Sequence, residues 1–209
     1  MIKLRATQNL VSAALTKTVL FLLITALNGC VMIPYETPEA RIQIQNNLNI
    51  TDENILGITE TNWCSYYYGE IPDCKATQGL GVLTKNGLIL SLYKSKKYQH
   101  AFTLSAADIR CTHTLVSENS PEIFYVFTDT QSFMLAPITP GGQMNIPMKQ
   151  KIYAYLNSQG ATKLTGANVA FIEKTGDKNY SGSILMVGST PVPYATSSDV
   201  YRIINPCQA

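Results

Sequence analysis

The clearest pattern in this chain is an alternation of apolar and polar positions near its middle. Residues 80–84 and 88–93 are two apolar, β-prone runs, and only Lys85-Asn86-Gly87 separates them. An Asn-Gly pair supplies the positive φ angles that a tight hairpin needs. The pattern therefore predicts two antiparallel strands joined by a short turn.

Further short strands follow this predicted hairpin. Each of them alternates apolar with polar residues or is rich in aromatic and β-branched residues, as half-buried strands are. They are predicted at residues 98–104, 108–116, 122–128 and 132–138. This order predicts a sheet in which consecutive strands run antiparallel.

One amphipathic helix is predicted next, at about residues 145–159. Asn145 can cap its first turn, and Pro147 lies where a missing N–H costs nothing. Apolar residues recur at helical spacing, and Gly160 can end the helix as a C-terminal cap. The apolar stripe consists of Met148, Ile152, Tyr155 and Leu156.

The residues beyond this helix are also predicted to be β. Residues 169–174 and 180–187 are predicted to form a second hairpin around Gly176-Asp177-Lys178-Asn179. Residues 200–204 are predicted to form a final strand that ends near Cys207.

The region upstream of the first hairpin is less regular. Pro34 and Pro38 disfavour a helix locally, so residues 31–45 are interpreted as a tether. Residues 43–58 fit either a partial β alternation or a short helix. The segment WCSYYYGEIPDC, residues 63–74, is predicted to be a compact aromatic loop.

Consecutive antiparallel strands followed by one amphipathic helix resemble the pleckstrin-homology/GRAM architecture. The resemblance covers residues 79–160 and includes the run Gly81-Val82-Leu83-Thr84, which a hairpin follows. It implies a mostly β (β+α) fold, an antiparallel, partly open barrel or bent sheet with one helix on its C-terminal side and extra C-terminal strands. Such folds serve lipid-binding, peptide-binding and purely structural domains, so the fold alone implies no function.

The N-terminal residues have the pattern of a secretory signal peptide. Lys3, Arg5 and Lys17 precede a short apolar run at residues 18–27, and no acidic residue lies among them. The run is shorter than the roughly 20 apolar residues that a membrane-spanning helix needs. Residues 1–29 are therefore predicted to be removed.

The end of this signal resembles the lipobox of bacterial lipoproteins. Leu27 matches the apolar position, Gly29 the small residue at the cleavage point, and Cys30 the acceptor thiol. Asn28 departs from the small or aliphatic residue usual at its position. The resemblance implies cleavage between Gly29 and Cys30, a diacylglyceryl group on the Cys30 sulfur, and an acyl chain such as palmitate on the new amine. Several acyl chains anchor a protein stably to a membrane.

The residue after the lipidated cysteine indicates to which membrane a lipoprotein is sorted. In diderm lipoproteins that this signal resembles, aspartate there favours retention in the inner membrane, and other residues usually favour transfer outward. Val31 therefore implies an outer-membrane protein, lipid-anchored and facing the periplasm, with the inner membrane and the cell surface as alternatives. Residues 30–45 would form a lipidated tether, and residues 46–209 a single β-rich domain.

The charge balance excludes one class of partner. The signal contains three of the 16 basic residues, so the remaining chain has 13 basic and 14 acidic residues. Binding to nucleic acid needs a clustered excess of Lys and Arg. No nucleic-acid partner is therefore expected.

Four cysteines remain after Cys30, and an exported chain meets an oxidising compartment, so disulfides are predicted. Cys64 and Cys74 bracket a short loop that is easy to close, and elimination then pairs Cys111 with Cys207. The other connectivities and free thiols remain alternatives. No metal site is predicted, because no CxxC occurs and neither histidine shares a ligand spacing with the cysteines.

The chain offers one aromatic cluster and little catalytic chemistry. Trp63, Tyr66, Tyr67 and Tyr68 are candidates for contact with a sugar or a partner protein, and the alternative is a loop collapsed onto the sheet. No nucleophile elbow and no dinucleotide fingerprint occurs. No catalytic residue and no cofactor are therefore predicted.

These observations predict a membrane-anchored envelope lipoprotein that acts as a non-catalytic interaction or assembly module. Its membrane contact would be the lipid anchor, and its protein partner in the envelope stays unidentified. The first alternative is a lipid- or glycan-binding periplasmic module. A small hydrolase is the third hypothesis.

Overall fold

The computed structural model describes residues 33–114, 123–165 and 171–208. The predicted signal, the cleavage after Gly29 and the lipidation of Cys30 lie outside these residues. Within the described ranges, no helix has the length and apolar character that crossing a membrane requires.

The described residues form ten β-strands and two α-helices, with short 3₁₀ turns at Asp52–Asn54 and Pro206–Gln208. The helices are α1 (Pro38–Leu48) and α2 (Ile146–Ser158). The strands are β1 (Ile55–Tyr67), β2 (Thr77–Thr84), β3 (Gly87–Lys94), β4 (Lys97–Ser105), β5 (Cys111–His113), β6 (Phe124–Phe127), β7 (Gln131–Ile138), β8 (Thr162–Leu164), β9 (Ile172–Val187) and β10 (Thr190–Ile203).

Eight of these strands form one sheet in the order β4-β3-β2-β1-β7-β6-β5-β8. All neighbours are antiparallel except β5 and β8, which run parallel. Strands β9 and β10 pair only with each other in a separate two-stranded sheet. The predicted mostly β fold is confirmed, and the large sheet is open, with β4 and β8 at its edges.

The large sheet buries apolar side chains in two clusters, and each cluster includes residues from one of the two helices. The first joins Ile152 and Leu156 of α2 to Trp63 and Phe133 of the sheet. The second packs Ile44 of α1, Leu80 and Val82 of β2, and Ile89 of β3 together. Because both faces are covered, strand β2 is buried along nearly its whole length.

The first predicted hairpin and the predicted helix are both present. Strands β2 and β3 meet at Thr84 and Gly87, so Lys85 and Asn86 form a two-residue loop. Of the Asn-Gly pair only Gly87 has a positive φ, of 136°, and a Cβ there would meet the Leu104 carbonyl oxygen at 2.2 Å. The Asn145 side chain caps α2 as predicted, since it accepts a hydrogen bond from the Met148 amide at 3.2 Å.

Helix α1 was not predicted, and it overlaps the segment interpreted as a tether. Pro38 lies in the first turn, where the absence of an N–H removes no helical hydrogen bond. The Thr37 hydroxyl accepts a hydrogen bond from the Ala40 amide and caps the helix. The expectation that proline disfavours a helix here is therefore wrong, because Pro38 begins the helix rather than interrupting it.

The C-terminal hairpin also differs from the prediction. Strand β9 continues through residues 176–179, and the chain reverses at Gly188-Ser189 instead. Gly176 has a φ of 89°, but it lies in a pairing irregularity opposite residues 199–201. A positive-φ glycine flanked by polar residues fits a bulge as well as a turn. We call the part of the hairpin beyond this bulge, residues 178–199, the arm.

Candidate functional site

The arm is exposed to solvent along nearly its whole length. Every residue from 176 to 198 is exposed to solvent. The two strands of the arm pair without interruption from Val187 and Thr190 at the tip to Lys178 and Asp199 at the base. Gly188 has a φ of 65° at the first position of the two-residue loop, as a type II′ turn requires.

Apolar side chains lie on both faces of the arm near its tip. Ile184 pairs with Pro193 on one face, and Leu185 pairs with Val192 on the other. The exposed fractions are 69% for Ile184 and 57% for Leu185. A continuous apolar run is typical of a strand that is buried on both faces, and here no described residue covers either face.

Charged side chains are confined to the base of the hairpin. Residues 179–198 contain no Asp, Glu, Lys, Arg or His. Below them the Lys174 amine contacts the Asp199 carboxylate at 2.5 Å, and this hydrogen bond raises the pKa of Lys174. Arg202 forms a second ion pair with Glu173. The base is therefore polar and paired, whereas residues 179–198 carry no charge to oppose association.

The base of the hairpin is fastened to the large sheet at several points. Ile203 is 2% exposed, and its backbone exchanges hydrogen bonds of 2.8 Å with Gly69 and Glu70. A disulfide joins Cys111 of β5 to Cys207, with 5.7 Å between the Cα atoms. These contacts hold the base of the hairpin while the arm beyond it stays uncovered.

Aromatic packing supports the same junction. The Phe171 ring lies 4.7 Å from Tyr125 and 6.4 Å from Phe127, measured between ring centroids. The Ile204 amide donates to the Phe171 carbonyl at 2.9 Å. Burial raises the pKa of the Tyr125 phenol, because the charged form is disfavoured away from water.

The predicted aromatic cluster adjoins this base but is largely occupied with internal contacts. Strand β1 continues through Tyr67, so the first half of the predicted loop is a strand. Trp63 is 3% exposed and lies in the core. The Tyr68 hydroxyl donates to the Thr128 carbonyl at 2.9 Å, and burial raises its pKa. Tyr66 is half-buried, whereas Tyr67 is 56% exposed.

The two disulfides join the pairs that the sequence analysis favoured. Cys64 in β1 is bonded to Cys74, with 5.6 Å between the Cα atoms. This bond closes the loop that carries Gly69 and Glu70. The loop in turn pairs with Ile203, so both disulfides contribute to the junction at the base of the hairpin.

A shallow depression of about 470 Å³ lies on the arm itself. It is lined by Gly182, Ser183, Ile184, Pro193, Tyr194 and Ala195. Gly182 pairs with Ala195, so neither strand places a large side chain at this position. A Cβ added to Gly182 would meet no atom within 4 Å, so packing within the chain does not require glycine there.

Metal-binding chemistry is not assembled in the part of the chain that the structure describes. Across residues 33–114, 123–165 and 171–208, no three His, Cys, Asp or Glu side chains lie close enough to hold an ion. The two histidines lie apart on β4 and β5.

Sequence reasoning missed the arm, although two signals for it were present. Residues 184–187 are a continuous apolar run, and residues 179–198 are free of charge. Both patterns normally indicate burial, so the sequence did not distinguish a buried strand from an exposed one.

No protein-family model matches this chain, and no curated protein matches it. Two solved structures of Vav1 resemble it weakly. The "Apo structure of the activated truncation of Vav1" has a TM-score of 0.41 and 13% identity. The structure titled "Critical structural role for the PH and C1 domains of the Vav1 exchange factor" has a TM-score of 0.38 and 14% identity. Each alignment covers 58% of this chain and 32% of that chain, so the chain spans about a third of their length. A likeness of this size assigns neither a family nor a function.

Proposed function

We propose that this protein is a lipid-anchored envelope lipoprotein that acts as a non-catalytic interaction or assembly module through its arm. The observation that carries the proposal is the arm, a ribbon whose residues 179–198 carry no charge and whose apolar side chains are exposed on both faces. Monomeric proteins rarely leave large contiguous apolar patches uncovered unless those patches bind something.

The anchor part of the proposal rests on the signal. Leu27, Gly29 and Cys30 follow a basic segment and a short apolar run, in the order that a lipobox requires. Lipidation at Cys30 would place the domain at the membrane surface. Val31 supports the outer membrane, with the domain facing the periplasm.

The rigid base supports the assembly part of the proposal. Binding costs less free energy when the binding element is already ordered. The disulfide of Cys111 with Cys207 and the buried Ile203 fasten the base before any partner binds. The base from which the arm extends is therefore held in place by contacts within the chain.

A second candidate function is lipid or glycan binding, and the apolar depression beside Tyr194 favours it. An acyl chain fits an apolar groove, and a tyrosine ring can stack on the face of a sugar. Such a ligand would contact one face of the arm only. A protein partner would not be limited to that face.

Photocrosslinking in cells tests these alternatives with the full chain. A photoreactive amino acid replaces Leu185 on the arm or, as the control, exposed Gln99 on β4. Protein adducts of defined mass from position 185 and not from position 99 are expected. Adducts with lipid or glycan alone would favour the second candidate, and equal labelling at both positions would contradict a role for the arm.

The anchor has its own test. Replacing Cys30 with Ser removes the acceptor thiol and should abolish labelling by radioactive palmitate. The variant should leave the outer-membrane fraction on a density gradient. Unchanged labelling and fractionation would contradict the anchor without bearing on the arm.

A further inference from the structure

The two outer edges of the arm are not equivalent. In a hairpin with a two-residue loop, the residues that flank the loop form a hydrogen-bonded pair, here Val187 and Thr190. The N–H groups of every second residue then point outward. On β9 these include Ile184 and Met186, and on β10 the outward positions include Pro191 and Pro193.

The prolines make the outer edge of β10 unsuitable for pairing. Proline has no N–H, so Pro191 and Pro193 remove two successive outward donors. Both prolines lie at positions where the two-residue loop directs the N–H group outward, so neither proline removes a hydrogen bond within the hairpin. Natural sheets use proline in this way to prevent edge-to-edge pairing.

The outer edge of β9 carries no such protection. From Tyr180 to Met186 it has neither proline nor a charged side chain, the two devices that usually protect an exposed edge. Its outward donors and acceptors are free to pair with another strand. An isolated two-stranded ribbon is only marginally stable, and a third strand would stabilise it.

Glycine and tyrosine alternate on this edge in a way that makes it complementary to itself. Gly182 faces open space, and Tyr180 beside it is 77% exposed. Two copies of β9 can pair antiparallel with Ser181 on the two-fold axis. Each Tyr180 then lies opposite Gly182 of the second copy, where its ring can cover the bare backbone. Aromatic residues stabilise sheets when they lie across from glycine in this way.

Charge does not oppose this pairing in the middle of the arm. The absence of charge from residues 179–198 removes the repulsion that two identical charged edges would feel.

We infer that the arm binds a second copy of this chain through the outer edge of β9. The product is a four-stranded antiparallel ribbon in the order β10-β9-β9-β10. Both of its outer edges carry Pro191 and Pro193, so the assembly closes at two copies. This inference rests on the proposed function, because it names the partner of the same arm.

Disulfide trapping in the full chain, expressed in cells, tests the pairing. On the axis, the two copies of residue 181 form a non-hydrogen-bonded pair with Cα atoms about 4.5 Å apart, within the range of a disulfide. Ser181→Cys should give a covalent dimer on a non-reducing gel, at least tenfold more than two control variants. The controls are Ser183→Cys, two residues away on the same face, and Thr196→Cys on β10. Equal yields from all three, or no dimer from Ser181→Cys, would overturn the inference.

A matched pair of proline variants tests the edge without any cysteine. Ile184→Pro removes an outward N–H from the open edge, and Ala195→Pro removes one from the edge that already carries prolines. Sedimentation of the full chain in detergent should give a dimer for the wild type and for Ala195→Pro, and a monomer for Ile184→Pro. Retention of the Cys111–Cys207 bond checks that both variants fold. A dimeric Ile184→Pro protein, or a monomeric Ala195→Pro protein, would overturn the inference.

The same experiments separate this inference from the proposed function. A monomeric wild-type chain that still forms protein adducts from position 185 would retain the interaction module and reject the second copy as its partner. A chain that is dimeric but forms no adduct with any other protein would support both the interaction module and the second copy as its partner.

Discussion

Two hairpins of this protein contain similar apolar residues, but one hairpin buries them and the other exposes them. In the hairpin of β2 and β3, Leu80, Val82 and Leu83 are fully buried. In the hairpin of β9 and β10, Ile184 and Leu185 are 69% and 57% exposed. Both hairpins turn through two-residue loops and have apolar runs. The difference lies in what covers them, because other strands and two helices enclose the first and nothing in the described residues encloses the second.

The arm therefore has the apolar composition of a core strand pair, although it is not part of the core. A buried strand contributes to folding because its apolar area leaves water. The exposed tip of the arm contributes little to folding by that route. Its apolar residues are therefore free to serve binding, and the variants below should separate the two roles.

The largest effect is expected from the two disulfides. Replacing Cys111 and Cys207 with Ala opens a connection across 96 residues and should lower the free energy of unfolding by about 4–5 kcal/mol in the chain-entropy model. Replacing Cys64 and Cys74, only 10 residues apart, should lower it by about 3 kcal/mol. Urea denaturation of the purified full chain measures both. A larger loss from the short-range pair would contradict this dependence on loop length.

A matched leucine pair compares the two hairpins directly. Leu83→Ala removes a fully buried side chain and should cost about 2–5 kcal/mol of unfolding free energy. Leu185→Ala removes an exposed side chain and should change it by less than about 0.5 kcal/mol. The same denaturation series provides the measurement. Comparable losses at both positions would show that the arm is part of the folding core.

The sequence predicted the first hairpin and α2 because local chemistry determines both. Asn86-Gly87 marks one turn, and Asn145 with Pro147 marks one helix start, whatever surrounds them. Helix α1 was missed because proline is compatible with a helix in one turn only, and the pattern did not show that Pro38 occupies that turn. Disulfide pairing was predictable once export was inferred from the signal.

The arm was not predictable from the sequence, because a local residue pattern does not show whether other parts of the chain pack over a strand. Gly176 with its polar neighbours has the composition of a turn, yet the chain uses it as a bulge and continues the strand. The apolar run at residues 184–187 has the composition of a buried strand. Only the packing of the whole chain decides that none of the described residues covers it.

Two glycines, one in each hairpin, allow the same comparison with a smaller expected change in stability. A Cβ at Gly79 would lie 2.1 Å from the Ser91 carbonyl oxygen and 2.6 Å from the Trp63 ring, so Gly79→Ala should cost about 1–3 kcal/mol. Gly182→Ala meets no atom and should leave stability unchanged or slightly raised. Thermal unfolding of the two variants provides the measurement. A loss at Gly182 equal to that at Gly79 would contradict an open arm.

The smallest effect concerns an exposed ion pair near the base of the hairpin. Hydrogen bonds from Arg110 at 2.6 and 2.8 Å hold the pKa of Asp129 below its usual value. A carboxylate with a depressed pKa stabilises the fold above its unfolded pKa of 3.8 and loses that contribution as the pH falls. Asp129→Asn should therefore melt slightly below the wild type at neutral pH, and the two melting temperatures should converge below pH 3.8. A difference that grows in acid would contradict this pairing.

Residue-level hydrogen exchange measures whether a second strand covers the outer edge of β9 in the full chain. The amides of Tyr180, Gly182 and Ile184 point outward and have no partner within the hairpin. In the full chain extracted from cells these amides should exchange slowly, and in the Ile184→Pro variant those that remain should exchange at the rate of free amides. Fast exchange of all three in the wild-type chain would contradict the proposed pairing, because the arm would then be an exposed ribbon with nothing bound to its edge.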